Sequence, residues 1–262
     1  MSEIKSRVQA QFGATAAGYV DSPVHSGGPD LARMVELAAL RGDERVLDIA
    51  TGGGHTALAF SRQAAEVVAS DLTAPMLAAA AAHFASKGAA NIATELADAE
   101  ALPFPDASFD VVTCRIAAHH FPQPQRFAAE AARVLRAAPG RPGRLIFSDL
   151  VGHEAASFDD FLHDVEWLRD HSHVRSYRVS QWVTWLAAAG FQVNALELIR
   201  RPHDIRDWMD RAKLPEAERP ALLDAFRAAS PSVRAAYEIA FAGELPVSFV
   251  TPVMVLGATK EV

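Results

Sequence analysis

Short apolar runs alternate with alanine-rich stretches between residues 44 and 150. The apolar runs have the length and β-branched content of buried strands, and they cover residues 44–49, 66–71, 91–98, 109–116 and 143–150. The stretches between them predict helices at 56–62, 75–87 and 125–136. Because parallel neighbours need a crossover long enough to hold a helix, this order predicts a parallel sheet covered by helices on both faces.

The pattern changes after residue 150. Two further strands are predicted, which makes a mostly parallel sheet of seven, at 191–199 and 247–258. Helices are predicted at 158–170, 181–189 and across 204–242. Pro252 lies inside the last strand, and because proline lacks a backbone N–H we expect that strand to avoid a fully paired central position. We predict a single α/β domain with a helical cap (1–40), a ligand-binding core (41–150), lid helices with strand six (151–246) and a last strand (247–262).

The composition excludes several classes of protein. The chain has 262 residues and a net charge of −7, so no basic surface indicates nucleic-acid binding. No apolar run is long enough to span a membrane, and the polar N-terminus does not resemble a signal peptide. The single cysteine, Cys114, excludes an internal disulfide and a cysteine-built metal site. We therefore expect a soluble, cytoplasmic protein whose partner is a small molecule, with the oligomeric state, a homodimer included, left open.

Three glycines, Gly52 to Gly54, stand between the first strand and the first helix of the alternating region. A ligand can approach a backbone without side chains, and the helix N-terminus offers free N–H groups, although a tight turn alone would also use glycine. Ala57 stands where a dinucleotide fingerprint needs its third glycine, and no Lys-Ser/Thr pair follows the loop. The loop therefore indicates a ligand but argues against a pyrophosphate.

Two aspartates follow the next two strands at their carboxyl ends. Asp71 stands about twenty residues beyond the glycines, where a carboxylate can accept both hydroxyls of a ribose. Asp98 ends the third predicted strand, where a carboxylate beside a free N–H can pair with the edge of an adenine. Either residue alone could be a surface or capping aspartate. Together with the glycine loop they indicate a ligand that contains adenosine.

Several longer segments resemble class I S-adenosylmethionine-dependent methyltransferases, especially the ubiquinone/menaquinone C-methyltransferase group. The most specific is DAEALPFPDASFDVV (98–112), and VLDIATGGG (46–54), AAHHF (117–121) and QFG (11–13) accompany it. The resemblance covers residues 8–150 well and the remainder loosely. It implies a Rossmann-like fold that binds S-adenosylmethionine and releases S-adenosylhomocysteine.

The resemblance also implies which residues contact the methionine part of that cofactor. Ala50, Gly52 and Gly54 would border it, and Tyr19 and His25 would close over it from the N-terminal segment. The family usually has glycine where Ala50 stands. We expect the extra methyl group to be tolerated if the backbone there keeps a negative φ, with a slightly narrower pocket.

For the adenosine part, the resemblance assigns the ribose to Asp71 and the adenine face to Leu72 and Met76. Asp98 and Ala99 would bind the adenine edge. The cofactor contacts that the resemblance implies thus lie at the carboxyl ends of consecutive strands. The glycine loop, Asp71 and Asp98 indicate the same place.

The end of the fourth strand is where the transferred methyl group should emerge. The backbone of Arg115 and Ile116 would face the amino group of the cofactor. Methyl transfer is an in-line displacement, so a base is needed only when the acceptor atom carries a proton. His119 and His120 are the candidate catalytic bases; alternatively, they cap the strand and pack against Phe121.

The late segment is rich in histidine and tryptophan. His171 and His173 could face one side of a strand, but no acidic set with suitable spacing accompanies them, so no metal site is predicted. Four aromatic residues are predicted to build a core within the lid, with an aromatic box around the substrate as the alternative: Phe158, Trp167, Trp182 and Trp185. An apolar lid favours a small organic methyl acceptor. The alternatives are an NAD-type oxidoreductase and a non-catalytic protein that binds an adenosyl ligand.

Overall fold

The computed structural model describes residues 3–20 and 27–261, and within them a central sheet of eight strands. In chain order these are β1 (Arg45–Ile49), β2 (Glu66–Asp71), β3 (Ile92–Leu96), β4 (Val111–Arg115), β5 (Gly143–Leu150), β6 (Phe191–Asp204), β7 (Ala240–Ala242) and β8 (Leu245–Lys260). The order across the sheet is β3-β2-β1-β4-β5-β8-β6, and β7 pairs with β8. Strands β1 to β5 are parallel, whereas β8 is antiparallel to both of its neighbours. The predicted α/β fold is confirmed, with one short strand more than expected.

Helices cover both faces of the sheet. They are α1 (Glu3–Val20), α2 (Pro29–Ala38), α3 (His55–Ser61), α4 (Ala74–Ser86), α5 (Pro124–Val134), α6 (Ala156–Arg169), α7 (Val179–Ala188), α8 (Ile205–Arg211), α9 (Arg219–Ala228) and α10 (Pro231–Ala236). A short 3-10 turn at Ala118–His120 follows β4. Within the described ranges, none of these helices combines the length and apolar content needed to cross a bilayer.

Neighbouring residues of the inner strands point to opposite sides of the sheet, as the pleat requires. Val46, Val111 and Ile146 pack under α2, α3 and α4. Their successors Leu47, Val112 and Phe147 pack under α5 and α7. Because both faces are buried, these strands appear in the sequence as continuous apolar runs rather than alternating ones.

The expectation that Pro252 keeps its strand out of the centre is wrong, because β8 lies between β5 and β6. The Val151 N–H donates to the Pro252 carbonyl at 3.2 Å, just beyond the last paired residues, Leu150 and Val253. In an antiparallel strand the N–H and C=O of one residue face the same neighbour. The side of Pro252 that lacks an N–H therefore faces the end of β5. The pairing of β5 with β8 loses only one hydrogen bond, at the last residues of β5.

Strand β6 continues to Asp204 instead of ending near residue 199, because it stays paired with β8 beyond the end of β5. This two-stranded extension carries α8, α9 and α10, which pack with α6 around Trp208, Phe226 and Phe249. Residues 240–242, predicted to be helical, instead form β7 on the edge of β8. The division of the chain into cap, core and lid stays a prediction.

The prediction that Trp182 builds a core within the lid is wrong. It is 1% exposed and packs against Phe147 of β5, with ring centroids 4.5 Å apart, in the main core. Trp185 packs against the same cluster. Trp167, in contrast, is 43% exposed on α6.

The exchange Trp182→Ala should therefore lower the free energy of unfolding by about 3–5 kcal/mol, because it removes a large buried side chain and leaves a cavity. Urea denaturation measures the change. The control, Trp167→Ala, should cost under about 1 kcal/mol, since that side chain is already exposed. Similar losses in the two variants would contradict the placement of Trp182 in the main core.

Candidate functional site

A cavity opens at the carboxyl ends of β1 to β4, where the strand order reverses between β1 and β4. In open α/β sheets such a reversal leaves a crevice between the loops, and ligands bind there. Of the residues named from the sequence, the cavity is lined by Ala50, Gly52, Asp71, Leu72, Met76, Asp98, Ala99, Arg115, Ile116 and His120. Strands that are distant in the sequence thus bring most of the predicted cofactor contacts together.

Two of the named residues that the structure describes, Gly54 and His119, do not line the cavity. Gly54 has a φ of +83° and lies against Phe84 of α4, where an added Cβ would come within 2.4 Å of the ring. Its glycine is therefore required by packing, and its contact with the cofactor stays a prediction. His119 lies behind His120. The predicted contacts of Tyr19 and His25 fall outside what the structure describes, since only the backbone of Tyr19 in α1 is described and His25 is not described at all.

The Asp71 carboxylate joins the glycine loop to the end of β2. One oxygen accepts the Gly52 N–H at 3.0 Å and the other accepts the Thr73 N–H at 2.9 Å. Burial raises the pKa of Asp71, and these backbone donors offset part of that rise. The carboxylate is thereby held at the cavity wall with lone pairs left for two vicinal hydroxyls.

Asp98 is paired with a residue that sequence reasoning missed. Lys5 of α1 donates to the Asp98 carboxylate at 2.6 Å and also lies 2.6 Å from Glu100. Burial lowers the pKa of Lys5, but the two carboxylates outweigh it and raise the pKa overall. Lys5 lines the cavity as well. Lys5 and Asp98 are 93 residues apart, so no local pattern could reveal the pair.

Ala50 adopts a left-handed backbone conformation, with a φ of +54°. The condition stated for tolerating the extra methyl group without strain, a negative φ, is therefore not met. The loop must reverse here because the next residue, Thr51, donates its hydroxyl at 2.6 Å to the buried carboxylate of Asp48. Ile116, on the facing wall of the cavity, has a φ of +52°, which is costly for a β-branched residue. Two strained residues thus lie where the methionine end of the cofactor is predicted to lie.

Arg115 contributes its side chain to the site, in addition to the backbone contact predicted for it. Its guanidinium makes a bidentate ion pair with Asp30 at the start of α2, at 2.6 and 3.1 Å. It also donates to the Gly27 carbonyl at 2.9 Å. The pair fixes the first turn of α2 against the end of β4.

The two candidate bases differ in their surroundings. The His119 Nδ1–H donates to one Asp149 oxygen at 2.6 Å, and the His119 backbone N–H donates to the other oxygen at 2.8 Å. Burial lowers the pKa of His119, but the Asp149 charge outweighs it and the net shift is upward. His120 lines the cavity and bonds through Nδ1 to the Ser172 carbonyl at 2.9 Å. Burial and the neighbouring His119 lower the pKa of His120 to about 4, so it is neutral near pH 7.

A polar cluster lies behind these histidines. The His173 ring centroid is 5.6 Å from that of His119 and 5.8 Å from that of His163. Both ring nitrogens of His173 are buried without a hydrogen-bond partner, and so is Oε1 of Glu166. His171, by contrast, is exposed and pairs with Glu218 at 3.1 Å. In the part of the chain that the structure describes, no three His, Cys, Asp or Glu side chains are arranged to hold a metal ion.

Comparison with known proteins agrees with this geometry. Residues 47–139 match the protein-family model for a methyltransferase domain. The chain is 35% identical to the uncharacterized methyltransferase YcgJ of Bacillus subtilis over 226 residues, which is 86% of this chain and 88% of that protein. The crystal structure of YcgJ superposes with a TM-score of 0.85 at 33% identity, covering 89% of this chain and 98% of that one. The demethylmenaquinone methyltransferase of Thermus thermophilus is 43% identical over 126 residues, 46% of this chain and 55% of that protein.

The exchange Ala50→Gly should raise the free energy of unfolding by about 0.5–1 kcal/mol, because glycine adopts a positive φ without a Cβ clash. Chemical denaturation measures the difference. Ala59→Gly, in the middle of α3, is the matched control and should lower stability by about 1 kcal/mol. A loss of stability in both variants would show that the left-handed conformation at Ala50 carries no cost.

Proposed function

We propose that this chain, which belongs to the family of S-adenosylmethionine-dependent methyltransferases, transfers the methyl group of that cofactor to a small organic acceptor. The observation that carries the proposal is the convergence of the Gly52 backbone, Asp71 and Asp98 on one cavity at the reversal point of the sheet. These groups match the hydroxyls and the adenine edge of an adenosine. The cavity wall between them is apolar at Leu72 and Met76, which suits the adenine faces.

The residues present fit the cofactor at both ends. Asp71, oriented by the Gly52 and Thr73 N–H groups, would hold the ribose, and Asp98 with the Ala99 backbone would bind the adenine edge. An ionised carboxylate has enough lone pairs for Asp98 to accept from Lys5 and from an adenine amino group together. The methionine part would lie along the glycine loop towards Ile116. When bound, the cofactor supplies an electrophilic methyl group on a sulfonium.

His119 is the better candidate for a base toward an acceptor that carries a proton. Asp149 holds Nδ1 and orients the ring, which leaves Nε2 to take a proton. His119 does not line the cavity, so the acceptor would have to extend past His120 to reach this nitrogen. The raised pKa makes the imidazole a stronger base than His120, whose pKa of about 4 makes it a poor proton acceptor. His120 lines the cavity and would position the acceptor instead.

Two helical segments of the chain are proposed to enclose the bound cofactor and acceptor. Residues 151–246 would act as a lid over the acceptor, and residues 1–40 would cap the cofactor. Val174 and Arg175 donate backbone N–H groups to the His119 carbonyl at 2.9 and 3.1 Å, which ties the proposed lid to the proposed base. Excluding water in this way favours attack by the acceptor over side reactions.

The cofactor assignment is tested by calorimetric titration with S-adenosylhomocysteine. The exchange Asp71→Ala should weaken binding by about tenfold to a hundredfold, because a hydrogen bond to a charged group contributes about 1.5–3 kcal/mol. The control is Asp106→Ala, whose side chain is 78% exposed and lies outside the cavity; it should bind as the parent does. Absence of binding by the parent chain, or binding of NADH in preference, would refute the proposal.

The pairing of His119 with Asp149 is tested by a histidine NMR titration of the protein saturated with S-adenosylhomocysteine. In Asp149→Asn the negative charge that raises the pKa of His119 is lost, so this residue should titrate at a lower pH than in the parent. Asp160→Asn removes an exposed carboxylate on α6 and serves as the control. A base of lower pKa stays deprotonated at lower pH, so the acid limb of kcat/KM should move the same way. Equal titration curves in the parent and Asp149→Asn would contradict the assignment.

A further inference from the structure

Lys5 reaches the cavity from α1, a helix that packs against α4. Lys5, Val8 and Phe12 line the cavity, and their spacing of three and four residues places them on one face of the helix. The Lys5 ammonium lies at the loop that follows β3, where it meets Asp98, a residue 93 positions further along the chain. A side chain of the N-terminal helix is thereby brought to the place where the edge of the adenine is proposed to bind.

The Asp98 carboxylate is held by two donors. One oxygen accepts the Glu100 N–H at 3.0 Å, and the other accepts from the Lys5 ammonium at 2.6 Å. The Asp71 carboxylate is also held at both oxygens, but its two donors are backbone N–H groups. Asp98 therefore differs in that its orientation depends on a side chain from a distant helix. Without that side chain the carboxylate, which is 31% exposed, could turn toward solvent.

Glu100 fixes the position of the Lys5 ammonium. The Glu100 carboxylate is 2% exposed, and one of its oxygens accepts the Gln123 N–H at 2.6 Å while the other lies 2.6 Å from Lys5 Nζ. Burial lowers the pKa of Lys5, but the bonds to Asp98 and Glu100 outweigh it and raise the pKa overall, so the side chain is charged near pH 7. Lys5 is thus a fixed cationic donor that sets the orientation of Asp98.

We propose that Lys5 determines the selectivity of the cofactor site for adenine by fixing the Asp98 carboxylate against the 6-amino group of the base. The inference rests on the proposed methyltransferase function and gives it a further positioning residue, since Lys5 acts through Asp98. An ionised carboxylate accepts hydrogen bonds and donates none, so it favours a 6-amino group and repels the 6-oxo group of hypoxanthine. That repulsion discriminates between the bases only if the carboxylate cannot turn away, and Lys5 prevents it from turning.

Calorimetric titration with two probes tests the inference. S-adenosylhomocysteine and S-inosylhomocysteine carry an amino and an oxo group at position 6 of the base, and selectivity is the ratio of the inosyl Kd to the adenosyl Kd. The parent should prefer the adenosyl probe by at least about tenfold. Lys5→Met should lower that ratio by at least about threefold, because the released carboxylate loses its bond to the amino group and no longer opposes the oxo group. Arg7→Met removes the same charge from an exposed side chain of α1 and should keep the parent ratio.

Two further variants separate this role from a purely structural one. Loosening of α1 alone would weaken both probes equally and leave the ratio unchanged. Gln9→Ala measures that effect, because the Gln9 side chain joins α1 to the Leu72 carbonyl at 3.0 Å rather than to Asp98. Asp98→Ala removes the group through which Lys5 acts, so adding Lys5→Met to it should change the ratio by less than about twofold.

Three results would overturn the inference. The first is an unchanged ratio in Lys5→Met, and the second is the same fall in the ratio with and without Asp98. The third is a higher ratio in Lys5→Met, which would show that the ammonium donates directly to the base. Binding of neither probe by the parent refutes the methyltransferase proposal instead, so the two failures are distinguishable.

A second variant covers the case in which Lys5→Met does not fold. That exchange leaves the buried Glu100 carboxylate without its cation, which is destabilising. Lys5→Met combined with Glu100→Gln removes both charges of the buried pair and still leaves Asp98 without its donor. The combined variant should show the same lowered ratio as expected for Lys5→Met, and a parent ratio in it would contradict the role of Lys5.

Discussion

Asp48 lies beneath the glycine loop with both carboxylate oxygens occupied. The Thr51 hydroxyl of the loop donates to one oxygen at 2.6 Å and the Thr113 hydroxyl of β4 donates to the other at 2.6 Å. The carboxylate therefore ties β1, β4 and the loop together where the strand order reverses. Burial raises its pKa to about 6, so the folded state holds this charge at a cost that the two hydroxyl donors reduce. These hydrogen bonds fix the glycine loop against β4 at the base of the cavity.

Two residues with a strained backbone lie near that same point. Ala50 follows β1 and Ile116 follows β4, and both have a positive φ. Each strand turns sharply to leave the sheet, which exposes backbone rather than side chains to a ligand. A methyl group at Ala50 is accommodated through backbone strain instead of through a shift of the loop. Asp71 then fixes the other side of the loop through the Gly52 N–H.

The surroundings of His119 and His120 are organised by charge rather than by backbone shape. Asp149 raises the pKa of His119, while burial lowers that of His120, so two adjacent histidines acquire different chemistry. Such a separation is typical of sites in which one group moves a proton and the other only positions. His173 also belongs to this arrangement, with its ring centroid 5.6 Å from that of His119, a contact that local sequence does not reveal because the two residues come from distant elements.

The sequence by itself determined the alternation of strands and helices, the glycine loop and the acids at the strand ends. Each depends on local periodicity, and the carboxyl ends of parallel strands meet at one edge whatever the details. Only the tertiary structure decided that β8 lies in the centre despite Pro252, that Ala50 has a positive φ, and that Trp182 belongs to the main core. Strand pairing, loop strain and burial depend on contacts between residues far apart in the chain, and local composition does not record them.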